Sequence, residues 1–156
     1  MQSFVDRGFA YCQQRTQNGL GMSSAEPAHP HRQRVLVVEP EPIVHDFITA
    51  ALYSAGYSVI AALDGLKAGQ LFHRHALELA VMLVEVSLPR LSGPEFISRL
   101  PTLTPRIPVI FTSCEGEPRP KNSAMPVLLK PFRAADLYRE LRRQGLPIPW
   151  QIAETC

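Results

Sequence analysis

Five residues able to handle a phosphoryl group or a cation stand at or beside the ends of short apolar runs. Glu39 follows Val35-Leu36-Val37-Val38, Glu85 closes Leu79 to Val84, Thr112 and Ser113 close Ile107 to Phe111, and Lys130 closes Val127-Leu128-Leu129. A run that short and that uniformly apolar suits a strand buried on both faces. In open α/β sheets, ligands and chemistry gather at the carboxyl ends of the strands. Two acids, a hydroxyl and an ammonium at one edge suit phosphoryl chemistry. The acids hold a divalent cation, a carboxylate accepts the phosphoryl group, and the hydroxyl and ammonium steady its oxygens.

Positioning these groups requires strands in register, and the segments between them read as helices. Pro40 and Pro42 end the first strand. Ile43, Phe47, Ile48, Ala51, Leu52 and Ala55 then recur at helical spacing, with Gly56 at the stop. Tyr57 to Ala62 reads as a second strand, and Asp64-Gly65 opens a second helix whose inner face is Ala68, Leu71, Phe72 and His75. After the third strand, Gly93-Pro94 precedes a short helix from Glu95 to Leu100, with Phe96, Ile97 and Leu100 inward. The fourth strand spans Ile107 to Thr112. Residues 115–126 carry no apolar period and are expected to form a loop with at most one helical turn. Phe132, Leu137 and Leu141 mark a last helix, Arg133 to Arg143, stopped near Gly145. Five alternations of strand and helix imply a parallel sheet with right-handed crossovers and helices on both faces.

A length of 156 residues suits one folded domain, here 34–146. Residues 1–33, rich in Gln, Ser, His and Pro, read as a flexible extension, with a docking helix from Ser3 to Gln14 as the alternative. Residues 147–156 form a tail whose Trp150 either folds back or meets a partner. A net charge of +2 with scattered Lys and Arg leaves no basic stripe, which argues against direct nucleic-acid binding. Cys12, Cys114 and Cys156 have neither zinc nor redox spacing, and a reducing cytoplasm is expected. The sequence has no apolar run of the roughly 18 residues that a membrane span needs, and Asp6 and Arg7 interrupt any signal-peptide core. There is no Gly-rich phosphate loop or nucleophile elbow, so no enzymatic activity is expected.

The order LVVE, LVEVSLPRLSG, IPVIFTS, LLKPF resembles the receiver domain of two-component response regulators over about 34–144. The resemblance implies a flavodoxin-like, CheY-like doubly wound sheet of five parallel strands in the order 2-1-3-4-5. It also assigns roles. Glu85 falls at the phosphoacceptor position, Glu39 with Glu41 at the acidic pocket, and Ser113, or Thr112 by a one-residue slip, at the switch hydroxyl. Lys130 is the invariant-lysine equivalent, Pro131 the cis-proline candidate, and Val127 stands where a switch aromatic is usual.

The departures from that pattern are concentrated at the site. Glu85 replaces the family's Asp and carries its carboxylate about 1.5 Å further out, a displacement to which in-line transfer is sensitive. Pro40 takes the place of a magnesium-holding acid, and a short 113–130 span leaves the family's fourth helix shortened or absent. A degenerate, stand-alone pseudo-receiver is therefore expected, acting through protein contact with a histidine kinase, another regulator or a second copy. No cofactor is expected, and magnesium on Glu39 and Glu85 is the one metal the resemblance raises. Within that reading Glu85 either pairs with Lys130 in a partly exposed ion pair contributing about 1 kcal/mol or less, or contacts Ser113 and Lys130 and holds an active-like state. A phosphorylatable receiver with an unusual acid, and a metal- or small-ligand-binding α/β domain, are the other readings. Arg119, Lys121, Arg133, Arg139, Arg142 and Arg143 suggest either an acidic partner or a solvated face.

Overall fold

The structure, a computed structural model, describes residues 33–101, 106–117 and 124–149. The expectations for the Ser3–Gln14 segment, for Arg119 and Lys121 and for Trp150 lie outside the described residues. The elements are β1 (Arg34–Val38), α1 (Pro42–Ser54), β2 (Ser58–Ala62), α2 (Gly65–His75), β3 (Leu79–Glu85), α3 (Gly93–Ser98), β4 (Val109–Cys114), β5 (Val127–Lys130) and α4 (Ala134–Arg143), with a 3-10 turn at Ala76–Glu78. The strands form one parallel sheet in the order β2-β1-β3-β4-β5. Its central strands are buried on both faces, as their apolar runs require.

Alternation along each strand sorts the core into two layers. Val35, Val37, Val81, Leu83 and Ile110 face α1 and α4, where they meet Ile48, Leu52, Leu137 and Leu141. Leu36, Val38, Met82, Val84, Val109 and Phe111 face α2 and α3, where they meet Ala68, Phe72 and Phe96. The inner stripe of α1 is Val44, Ile48, Ala51, Leu52 and Ala55. Ile43 and Phe47, expected inside, fall on its flank, where Ile43 is 79% exposed. Phe47 leans on Phe132 with ring centroids 5.9 Å apart.

Local signals set the element ends. Asp64 caps α2 by accepting the Lys67 N–H at 2.8 Å, and Gly56 ends α1 in the left-handed region at φ 87°. The second strand begins at Ser58 because the Tyr57 N–H is taken by the Leu52 carbonyl of α1 at 3.0 Å, while the buried Tyr57 hydroxyl donates to the Pro147 carbonyl at 2.7 Å. That bond, with Leu146 buried and Ile148 packed on the same layer, holds the start of the expected tail against the sheet. Arg133 is the N-cap of α4 and lies outside its helical turns. Between β4 and β5 the described residues hold a turn at 115–117 and no helix.

The loop from β3 to α3 closes tightly over the end of β3. The Gly93 N–H donates to the Val86 carbonyl at 3.0 Å, and a Cβ on Gly93 would stand 2.2 Å from the Glu85 carbonyl oxygen. Backbone on backbone leaves nothing flexible to yield. We expect Gly93→Ala to destabilise the domain by about 2–3 kcal/mol. Gly69→Ala, within α2 with nothing inside 4 Å, should stabilise it by about 0.5–1 kcal/mol. Urea denaturation midpoints that shift in the same direction for both variants would contradict this account.

Candidate functional site

Two-residue periodicity decides which side chains share a face at the carboxyl edge. Val35 and Val37 lead to Glu39, Val81 and Leu83 to Glu85, Ile110 to Thr112, and Leu128 to Lys130. All four endpoints thus fall on the α1 and α4 side. Pairing of Val38 with Val84 and of Glu85 with Thr112 sets the ends side by side. Ser113 belongs by the same parity to the other face.

Lys130 joins the two acids. Its Nζ lies 2.8 Å from Glu39 Oε2 and in closer contact with Glu85 Oε2. The Thr112 hydroxyl donates to that same Glu85 oxygen at 3.2 Å. The remaining carboxylate oxygens are taken by backbone: Glu39 Oε1 accepts the Glu41 N–H and Glu85 Oε1 the Ser87 N–H, both at 3.1 Å. Glu39 is 1% exposed and Glu85 4%, while Lys130 is partly buried, so the pair expected from the sequence is a triad in which both acids are buried. Desolvation pulls the Lys130 ammonium toward its neutral form, but hydrogen bonds and charge from Glu39 and Glu85 outweigh it and hold its pKa above the ordinary lysine value.

Several expected site residues sit elsewhere. Ser113 does not bond to Glu85; its hydroxyl donates to Glu117 Oε2 at 3.0 Å. Glu41 is exposed and enters the site only through its N–H, because Pro40 and the Pro42 start of α1 turn it outward. Val127 is partly buried against Phe111 on the α2 and α3 side. The Lys130–Pro131 peptide bond is cis. Glu117, which the sequence reading did not single out, also accepts the Cys114 N–H at 2.7 Å. Its mark in the sequence is Gly116, whose φ of 88° turns the chain back over the end of β4.

Among the described residues, no three His, Cys, Asp or Glu side chains converge to hold a metal ion. Each oxygen of Glu39 and Glu85 already has a protein partner, and Pro40 offers no ligand. These residues suit the ammonium between them better than a hard divalent cation, which takes six or more oxygens.

The family described as "Response regulator receiver domain" matches residues 35–142. The chain is 34% identical over 121 residues to the two-component response regulator-like protein APRR5 of Arabidopsis thaliana, across 76% of this chain and 21% of that protein. It is 32% identical to the response regulator RppA of Synechocystis across 70% of this chain and 49% of that protein. The chain therefore spans about a fifth to a half of these curated relatives. Among solved structures, the Vibrio cholerae chemotaxis protein CheY4 is similar with a TM-score of 0.61 at 25% identity, across 70% of this chain and 96% of that one.

Removing Lys130 leaves two buried carboxylates facing each other. We expect Lys130→Met to cost about 3–5 kcal/mol, read from chemical denaturation at neutral pH. Lys130 binds its proton more tightly folded than unfolded. Its contribution is complete below the ordinary value of 10.5 and is lost as pH rises through the raised folded value. Burial pushes the Tyr57 phenol up to about 12, which gives a further alkaline loss of the same sign in both proteins. The wild type should accordingly lose stability more steeply above pH 10.5 than Lys130→Met. Parallel alkaline profiles would refute the triad's role.

Proposed function

The chain belongs to the response regulator receiver domain family, and we propose that it serves two-component signalling as a degenerate receiver acting by protein contact. In this reading Glu85 occupies the phosphoacceptor position and is not phosphorylated. The observation that carries it is the Lys130 ammonium paired with a Glu85 oxygen that also accepts the Thr112 hydroxyl. A carboxylate held this way is poorly placed as a nucleophile, and the extra methylene of Glu moves it by about 1.5 Å relative to Asp. Magnesium has no role in this reading, because the ammonium holds the charge position that a cation would need.

The partners proposed are a histidine kinase, another regulator or a second copy of the chain. The basic residues of α4 give little support to a strongly acidic partner. Arg139 pairs with Asp136 at 3.1 Å and Arg143 with Glu140 at 3.3 Å, so much of that charge is answered within the helix.

The test is incubation with a small-molecule phosphodonor and magnesium, followed by intact mass measurement. We expect no added phosphate, and flat amide shifts for Glu41 and Ser87 on titration with magnesium alone. A phosphate adduct mapped to Glu85 would sink the proposal.

A further inference from the structure

The core layer beneath α2 and α3 is left unfilled at the edge of the sheet opposite Lys130. Among the described residues, α2 and α3 alone cover that side, and α3 is only six residues long. The described residues between β4 and β5 supply no further helix. A cavity of about 550 Å³ remains at the amino ends of β4 and β5. The buried side chains of Phe72, Met82 and Val109 line it, and those of Ile97, Ile107 and Met125, on the same layer, are only partly covered. Small-molecule pockets hold about 300–1,000 Å³ and are lined mostly by such side chains, with a few polar groups that fix orientation. Half-covered apolar surface gains by being covered, and the unbranched, polarizable methionines adapt to an irregular guest.

Two polar side chains line the cavity. Gln144 is engaged, its Nε2 donating to Glu140 Oε1 at 2.9 Å. Arg106 is exposed and has no ion-pair partner among the described residues, and no acid lines the cavity beside it. A guanidinium presents parallel donors that match the two oxygens of a carboxylate. We propose that this cavity binds a small amphiphilic carboxylate, its apolar body between α3 and the starts of β4 and β5 and its head group on Arg106. A neutral apolar guest would fill the same space and leave the guanidinium unanswered. The site lies at the opposite edge of the sheet from Glu39, Glu85 and Lys130, so the inference goes beyond the contact-based reading and does not rest on it.

The experiment titrates the full chain with decanoate below its micellar concentration, following methionine methyl and backbone amide signals by NMR. We expect saturable shifts at Met82, Met125 and Val109, and binding of decanol, the same chain without the charge, on the order of tenfold weaker. Arg106→Gln should bring decanoate down to the decanol level and leave decanol unchanged. Arg106 is exposed, so this variant keeps the fold. Ala124→Trp, which sets a large ring at an exposed lining position, should weaken both probes on the order of tenfold or more. The absence of saturable shifts at these positions overturns the proposal. So does decanoate binding that is no tighter than decanol's or that Arg106→Gln leaves unchanged. Equal binding to wild type and to a folded Ala124→Trp protein overturns it as well, since the probe would then be held elsewhere.

Discussion

Two buried carboxylates on adjacent strands are tolerable only with a cation between them. Strands lie about 5 Å apart, and at that distance two like charges in a protein environment repel by roughly 3 kcal/mol before desolvation is counted. Lys130 turns this repulsion into a joint. Glu39 follows β1, Glu85 ends the central strand β3 and Lys130 ends the edge strand β5, so the ammonium ties the edge to the centre across β4. β5 is only four residues long and has a half-buried pattern, so it gains a side-chain anchor that its apolar content could not supply.

The same anchor fixes where α4 begins. Phe132 and the Arg133 cap follow Lys130 at once, and the Arg133 N–H donates to Asp136 at 3.0 Å. The helix then buries Leu137 and Leu141 on the sheet, while the Tyr138 hydroxyl donates to the Ala51 carbonyl of α1 at 2.9 Å. The placement of one ammonium therefore carries through a short loop into the packing of two helices. Loss of the cation would be felt as loosening of this whole layer, since each step depends on the one before it.

The parts of this architecture legible in the sequence were those with a local physical signature. Val35 to Val38 and Leu79 to Val84 are apolar at every position, which only a strand covered on both faces can accommodate, and the charged residue ending each run marks the edge of the sheet. Asp64 and Gly56 announce helix ends through side-chain capping and left-handed backbone. The choice between Thr112 and Ser113 was harder. Parity along β4 puts Thr112 with Ile110, but the hydroxyl's partner depends on the β3–β4 register, which no local pattern contains. Ile43 and Phe47 misled for a related reason. On a helix whose buried stripe starts at Val44, a shift of one residue moves a side chain by 100°, enough to carry Ile43 to the surface. Glu117 gave no periodic signal at all, since it is placed by a turn at Gly116 in a stretch of polar residues.

A receiver that is switched needs two arrangements whose relative free energy a ligand can change. At this edge, each group that would respond to an added anion or cation has a partner from the chain itself. Lys130 is held by Glu39 and Glu85, Thr112 donates to Glu85, and Ser113 and the Cys114 N–H are held by Glu117. In the proposed reading, an incoming ion gains only the difference between its own contacts and those it breaks. That difference is small when the internal partner is already charged and well placed. Binding energy would then have to come from elsewhere on the surface, where a partner protein meets side chains that the fold has left exposed. In that reading a site closed on itself is a scaffold for that surface, and signalling would be set by which partner is present.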